Sequence, residues 1–204
     1  MDFFEATRRR PMVSDADDEP GAEAEPQLPD WQGPTTTIFG HVVAANAVVV
    51  RTQHAFIGLP AFTVYPTGLM FEIKIAVHRG GWSRDRWEAV EDSFWGRRGV
   101  PHRTHADDAL QVGVLLSDGR RAVASDRWDR PAEEPTPPVL CQLGGSGSGG
   151  GRNRLDASTQ FWLWPLPEPG PLDLVIAWSA LEVPTTMHQV RVDPPPTPTV
   201  PYWP

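Results

Sequence analysis

A strict alternation of apolar and polar residues along the middle of the chain predicts β-strands. Its clearest case runs from residue 69 to 77, where the odd positions are all apolar: Leu69, Phe71, Ile73, Ile75 and Val77. A period of two places those side chains on one face of a strand, so we expect them to point inward. Residues 110–116 repeat the alternation and lead into 117–120. The Asp-Gly pair there tolerates the positive φ of a tight turn, which predicts a hairpin.

A tryptophan-rich segment, residues 161–178, predicts two further strands. Trp, Phe, Val and Ile suit a pleated, half-buried surface. Four prolines and a glycine separate its two apolar runs, and they exclude a continuous strand or helix there. With the shorter runs elsewhere, the chain shows about eight short strands with turn signals between them. The expected fold class is all-β, an antiparallel two-sheet sandwich.

One segment follows a helical period instead. Between residues 83 and 95 the apolar residues recur at helical spacing: Trp87, Val90, Phe94 and Trp95. This spacing is typical of a short amphipathic helix, which Gly96 is expected to end. Because good strands flank it, we expect the helix to belong to an insertion over residues 79–108.

The two ends of the chain differ in composition from its middle. Residues 1–33 are acidic and poor in aliphatic side chains, and residues 194–204 are rich in proline. These compositions are typical of disorder and of an extended polyproline-like segment, respectively. We therefore expect a β-sandwich domain over residues 34–193, with a disordered acidic tail before it and a proline-rich tail after it.

Charge and cysteine content narrow the function classes. The net charge of −8 is concentrated in the N-terminal tail, and the middle of the chain is close to neutral, which argues against a general nucleic-acid-binding protein. The single cysteine, Cys141, excludes an internal disulfide and a multi-cysteine zinc site. No secretory signal and no run of about 18 apolar residues is evident. We expect a cytoplasmic protein without a membrane span, and no motif predicts a cofactor.

Several segments are similar to those of a known bacterial family. They are the hairpin at 116–122, the glycine run at 144–151, the block Trp162-Leu163-Trp164-Pro165-Leu166-Pro167, the Gly170-Pro171-Leu172 segment with Trp178, and the ending Tyr202-Trp203-Pro204. Over about residues 38–192 the chain resembles a family of proteins from high-GC bacteria that has no assigned activity. The resemblance implies a compact β domain and brings no functional residues with it. The insertion at 80–105 departs from the family pattern.

Tryptophan and arginine residues of the insertion form a first candidate binding surface. Trp82, Arg84 and Trp87 lie close together in the sequence. Such a mixture stacks on bases or sugars and is common at protein-binding hot spots. The alternative is that Trp87 belongs to the buried face of the helix while the arginines are solvated. Interleaved acidic residues cancel the positive charge and favour that alternative.

Trp162 and Trp164 form a second candidate surface, because alternate residues of a strand share one face. If that face points away from the core, something must cover it. The C-terminal Tyr202 and Trp203 could cover it, and so could a second subunit. The alternative is a central strand that is buried on both faces. The sequence pattern does not decide between these possibilities.

A cluster of polar residues offers a weak candidate metal site: His102, His105, Asp107 and Asp108. Metal ligation needs three or four such groups to converge. The segment follows Pro101 and lies among other polar residues, so we favour exposed histidines that bind no metal.

The glycine-rich run at 144–151 is interpreted as a flexible inter-strand loop, or as a linker introduced by engineering. A phosphate-binding loop needs a Gly-Lys-Ser/Thr ending and a following helix, and this run has neither.

No nucleophile system is evident in the sequence. The serines lack a Gly-x-Ser-x-Gly elbow, and Cys141 lies in an apolar strand, where cysteine is usually inert. We therefore predict a non-enzymatic β-sandwich protein that acts by binding a protein partner or by self-association. Two alternatives stay open: a small metal-dependent hydrolase using the His102–Asp108 cluster, and a carbohydrate- or nucleic-acid-binding module using Trp82, Arg84 and Trp87.

Overall fold

The computed structural model describes residues 28–95, 108–125, 133–149, 153–193 and 200–202. Its elements are β1 (Ile38–Phe39), β2 (His41–Arg51), β3 (Ala55–Val64), β4 (Leu69–His78), α1 (Arg84–Trp95), β5 (Gln111–Leu116), β6 (Arg121–Ser125), β7 (Val139–Gly149), β8 (Arg154–Trp164), β9 (Gly170–Trp178), β10 (Val183–Val192) and β11 (Val200–Pro201). The prediction of a mostly β protein with one short helix is confirmed. No helix among these residues combines the length and apolar character that crossing a membrane requires.

Nine of the strands form one sheet, in the order β10-β9-β5-β6-β7-β8-β4-β3-β2. The sheet is nearly closed, because its two outer strands, β10 and β2, contact each other. This arrangement differs from the predicted pair of separate, purely antiparallel sheets. Strands β6 and β7 are parallel, with Ala124 opposite Leu140 and Ser125 opposite Cys141. The connection over residues 126–138 provides the dozen or so residues that a parallel neighbour requires.

Strand β4 carries the predicted inward face. Its odd positions are all buried, with Leu69 and Ile73 fully inaccessible to solvent. The strand pairs along its whole length with β8, from Leu69 opposite Leu163 to His78 opposite Arg154. The inward side chains of these strands join those of β5, β9 and β10 in one hydrophobic core. Alternation along the sequence therefore predicted the core side of this strand correctly.

The two tryptophan-rich strands, β8 and β9, enter different parts of the sheet. The proline-rich segment between them does not make a hairpin, because β8 lies between β4 and β7 whereas β9 lies between β5 and β10. Trp162 and Trp178 therefore lie in two distinct regions of the molecule, although only 16 positions separate them. Each region needs its own covering segment.

The glycine-rich run is not a loop in its described part. Strand β7 continues to Gly149 and pairs with β8 up to Gly149 opposite Leu155, so the loop prediction is wrong for residues 144–149. A side chain at Gly145 would place its Cβ 2.9 Å from the Ser158 carbonyl oxygen, which is too close without a shift of the backbone. The loop prediction from composition failed because the neighbouring strand β8 provides hydrogen-bonding partners even for a glycine-rich sequence of low strand propensity.

Both outer strands of the sheet carry irregularities that hinder the addition of another strand. In β2 the register shifts between Ala44 and Ala47, and Asn46 adopts a left-handed conformation with φ of 47°. In β10 the register shifts between Val183 and Thr186, and Pro184 lacks a backbone N–H. Bulges and prolines at sheet edges protect proteins against edge-to-edge association. The edges β2 and β10 are therefore poor candidates for a strand-addition site.

Candidate interaction surfaces

Trp87 is buried in the protein and Trp82 is partly buried, so the two do not form an open surface. Trp87 is only 4% exposed and lies with Val90 in the hydrophobic core. Trp82 is partly buried, because the His54 ring lies 4.4 Å from its centroid on one side. The Arg86 guanidinium carbon lies 4.8 Å from the Trp82 ring, in a cation–π geometry. These contacts match the alternative of a buried helix face.

The arginines of the helix are engaged in ion pairs. The Arg84 Nε donates to Glu88 Oε1 at 2.6 Å, and this hydrogen bond, together with the charge of Glu88, raises the pKa of Arg84. Arg86 pairs with Glu182 at the same distance. Since both guanidiniums already have carboxylate partners, the helix offers little free positive charge for a phosphate or a nucleic-acid backbone.

Helix α1 closes the sheet region around Trp178. The Trp178 side chain is fully buried, and its Nε1 donates a hydrogen bond of 2.9 Å to the Ser93 hydroxyl. That hydroxyl in turn donates to the Val90 carbonyl at 2.8 Å. Both the indole N–H and the hydroxyl therefore have a hydrogen-bond partner. Sequence reasoning missed Ser93, although its place between Val90 and Phe94 on the apolar helix face was a usable signal.

The candidate metal cluster is described only at its last member. His102, His105 and Asp107 lie outside the described residues. Asp108 accepts a hydrogen bond of 3.1 Å from the Ser179 hydroxyl. In the part of the chain that the structure describes, no group of three or more potential ligands converges on a common point.

Trp162 on the outward face of β8 is covered by a segment near the N-terminus. We call residues 29–33 the strap. The Trp162 Nε1 donates a hydrogen bond of 2.7 Å to the Asp30 carbonyl, and the Trp31 ring meets the Trp164 ring edge-on at 6.3 Å. Trp162 is consequently buried, as is every member of β8 from Phe161 to Leu163. The strap lies within the segment whose composition predicted a disordered acidic tail.

The strap lies in an indole groove, which we define by Tyr65, Cys141, Trp162 and Trp164. Tyr65 packs edge-on against Trp162 at 5.7 Å, and Cys141 is the register partner of Trp162 on β7. The Cys141 thiol donates a long hydrogen bond of 3.7 Å to the Trp31 carbonyl. The single thiol of the protein is thus 1% exposed and lies directly beneath the strap. Position Trp31 was not among the residues singled out from the sequence.

The C-terminal segment also returns to the sheet, but at the side of the indole groove. The Tyr202 backbone N–H donates to the Thr37 carbonyl at 2.9 Å, which extends the two-stranded pairing of β1 with β11. Burial, and then the charge of Tyr202, raise the pKa of Tyr65. Trp203 lies outside the described residues. The hydrogen-bonded cover of Trp162 is therefore the strap rather than the predicted Tyr202.

Three large apolar side chains are exposed where β1 pairs with β11. We call them the terminal patch: Phe39, Val200 and Tyr202, which are 60%, 61% and 50% exposed. Phe39 and Val200 are opposite each other in the β1–β11 pairing, and the Phe39 and Tyr202 rings pack edge-on at 6.0 Å. Exposed apolar side chains that are grouped in this way mark interaction sites.

A shallow polar cleft of about 560 Å³ lies on the outer face of β4 and β8. Its charged and hydroxyl groups satisfy one another: Lys74 pairs with Glu72 at 2.7 Å, and the Ser146 and Ser158 hydroxyls are 3.0 Å apart. Burial alone would raise the pKa of Glu72, but hydrogen bonds with Lys74 and Ser158, together with the Lys74 charge, lower it. The hydrogen bonds and the Lys74 charge therefore stabilise the ionised form of Glu72.

Comparison with protein-family models, with curated proteins and with solved structures finds no match for this chain. The resemblance to the high-GC bacterial family accordingly stays a prediction. The geometry of the described residues alone supports the functional proposal below.

Proposed function

We propose that the protein is a non-enzymatic cytoplasmic protein that acts by protein–protein association through its terminal patch, with a second copy of the chain as the partner. The observation that carries this proposal is the exposed aromatic pair Phe39–Tyr202 beside Val200. Elsewhere among the described residues, the tryptophans are largely used for internal packing. The patch therefore concentrates the apolar surface that is left for a partner.

The composition of the patch favours association of identical surfaces. Phe39 and Val200 are uncharged and Tyr202 presents an aromatic ring, so two copies of the patch can pack without like charges facing each other. A two-fold dimer places the same surface of both subunits face to face, which an apolar patch tolerates well. Aromatic residues such as Tyr and Phe are enriched in the centre of such interfaces.

Sedimentation velocity over a range of protein concentrations tests the proposal. The wild-type chain should form a dimer as concentration rises, and the double variant Phe39→Ser, Tyr202→Ser should stay a monomer. Val123→Ser is the matched control, because Val123 is 69% exposed on β6, outside the patch, and should not alter association. A wild-type chain that stays monomeric throughout, or a dimer that survives the double substitution, would contradict the proposal.

A further inference from the structure

The strap is held in the indole groove by contacts that do not depend on its own chain connection. The Asp30 and Trp31 carbonyls bind groups that lie 132 and 110 positions further along the sequence, on Trp162 and Cys141. The Trp31 ring packs on Trp164, which belongs to the same strand as Trp162. An identical segment from another molecule would make the same contacts in the same groove.

The strap is attached through its backbone, while one polar side-chain atom of the strap stays unsatisfied. Its backbone supplies the acceptor for Trp162, but the Trp31 Nε1 is buried without a hydrogen-bond partner among the described residues. A buried donor without a partner opposes binding, because it has lost its water. The strap is therefore bound more weakly than its aromatic contact with Trp164 and its hydrogen bonds alone suggest, which favours exchange over permanent attachment.

The indole groove is continuous with the terminal patch. Tyr65 forms one wall of the groove through its contact with Trp162, and its ring also lies against Gly40, where a Cβ would be 2.7 Å from it, next to Phe39 of the patch. Residues 34–37 connect the strap to β1, whose Phe39 lies in the patch. A dimer joined at the patch would therefore hold the strap of each subunit near the groove of the other.

We propose that the indole groove is a docking site for an extended, tryptophan-bearing segment, and that in the dimer this segment is the strap of the second copy. The part of this proposal that names the second copy rests on the proposed function, since the terminal patch brings the two chains together. Exchange of an identical element between subunits is a low-cost route to a dimer, because the interactions that break within each chain form again between the two chains.

Cys141 reports directly on the occupancy of the groove, because no other thiol is present. In the full-length Trp31→Ala variant, a thiol reagent should modify Cys141 about tenfold faster or more than in the wild type, which corresponds to about 1.4 kcal/mol of lost protection. A synthetic peptide covering residues 27–35 should restore the slow rate, and the same peptide with Ala in place of Trp31 should not.

Two outcomes of this experiment would overturn the docking site. One is a Cys141 modification rate that the Trp31→Ala substitution leaves unchanged. The other is a faster rate that the tryptophan-bearing peptide fails to slow. Both outcomes are independent of the oligomeric state, so they are distinguishable from a failure of the terminal patch. A chain with the double substitution Phe39→Ser, Tyr202→Ser should still protect Cys141 to the wild-type extent.

The source of the strap is tested by cross-linking in the Gly33→Cys variant. A Cβ at Gly33, the last residue of the strap, would lie 3.7 Å from the side chain of Leu143, which is two positions from Cys141 on β7, so a cysteine fits at this position. A short bifunctional maleimide should yield a covalent dimer whose share grows with protein concentration, and adding Phe39→Ser, Tyr202→Ser should suppress it. If cross-linking gives only single chains at concentrations where the wild type is dimeric, exchange between copies is wrong.

Discussion

Trp178 and Trp162 are both buried, but the segments that cover them, helix α1 and the strap, are attached differently. Trp178 donates its indole N–H to a serine side chain of helix α1, and Trp162 donates to a backbone carbonyl of the strap. Helix α1 adds Trp87 and Val90 to the core, whereas the strap contributes one indole that packs edge-on against Trp164. The difference indicates that the first cover is part of the fold and the second is a bound segment.

The hydrogen bonds of the two regions support the same distinction. Around Trp178, the Ser93 hydroxyl both accepts and donates, so the indole N–H and the hydroxyl are both satisfied. Around Trp162, the covering Trp31 leaves its own indole N–H buried without a partner in the described part of the chain. Satisfied buried networks make a structure rigid, and partly satisfied ones are where it opens first.

The largest expected effect comes from truncating the permanently covered tryptophan. Trp178→Ala removes a fully buried indole and leaves a cavity beneath Phe94 and α1, which should lower the free energy of unfolding by about 3–5 kcal/mol. Urea denaturation followed by circular dichroism measures the change. A loss below about 1 kcal/mol would show that the region does not pack as described.

The next largest effect should follow from removing the acceptor of the Trp178 indole. Ser93→Ala leaves a buried N–H unsatisfied and should lower the free energy of unfolding by about 1–3 kcal/mol. In the Trp178→Phe background no indole N–H remains, so the same serine substitution should cost much less. Equal costs in the two backgrounds, measured as a double-mutant cycle, would rule out this hydrogen bond as the cause.

A smaller global effect is expected at the strap. Trp31→Ala removes one edge-on aromatic contact and should lower the free energy of unfolding by about 0.5–1.5 kcal/mol. Trp31→Phe keeps an aromatic ring and omits the unpartnered N–H, so its loss should be smaller than that of the alanine variant. If Trp31→Ala destabilised the protein as strongly as Trp178→Ala, the strap would be a structural part of the fold.

The smallest effect should appear only at alkaline pH. Burial raises the pKa of Tyr65, so above about pH 10 the unfolded chain releases this proton before the folded protein does. The stability that this phenol contributes is complete below the unfolded pKa and falls as pH rises toward the folded pKa. In urea denaturation at neutral pH and at about pH 11, Tyr65→Phe should flatten this decline. An unchanged decline would assign it to other groups.

The sequence was informative where one physical rule acted alone. Alternation along β4 predicted its buried face, and helical spacing predicted α1 and the burial of Trp87. Both predictions depend on the burial of apolar side chains away from water, and the spacing of apolar residues along the sequence indicates this burial directly. The Asp-Gly hairpin between β5 and β6 was predicted for a similarly local reason, the positive φ of Gly119.

The sequence was uninformative where partners are distant along the chain. No residue near Trp162 in the sequence indicates that its indole N–H donates to the carbonyl of residue 30. Likewise, the glycine-rich β7 is a strand only because β8 pairs with it, and the parallel register of Ala124 with Leu140 depends on the connection between them. Tyr202, a candidate binding residue from the sequence, is exposed, but the sequence pattern left open whether it covers Trp162.

The modification rate of Cys141 by a thiol reagent, compared between Trp31→Ala and Ser93→Ala, tests the central difference between the two tryptophan regions most directly. Ser93→Ala should speed modification only as far as it lowers the free energy of global unfolding. Trp31→Ala should speed it far more than its loss of global stability explains, because the strap lies directly over the thiol. If the modification rates in both variants follow global stability equally, the strap does not open independently of global unfolding. The strap and helix α1 would then be equally integral parts of the fold.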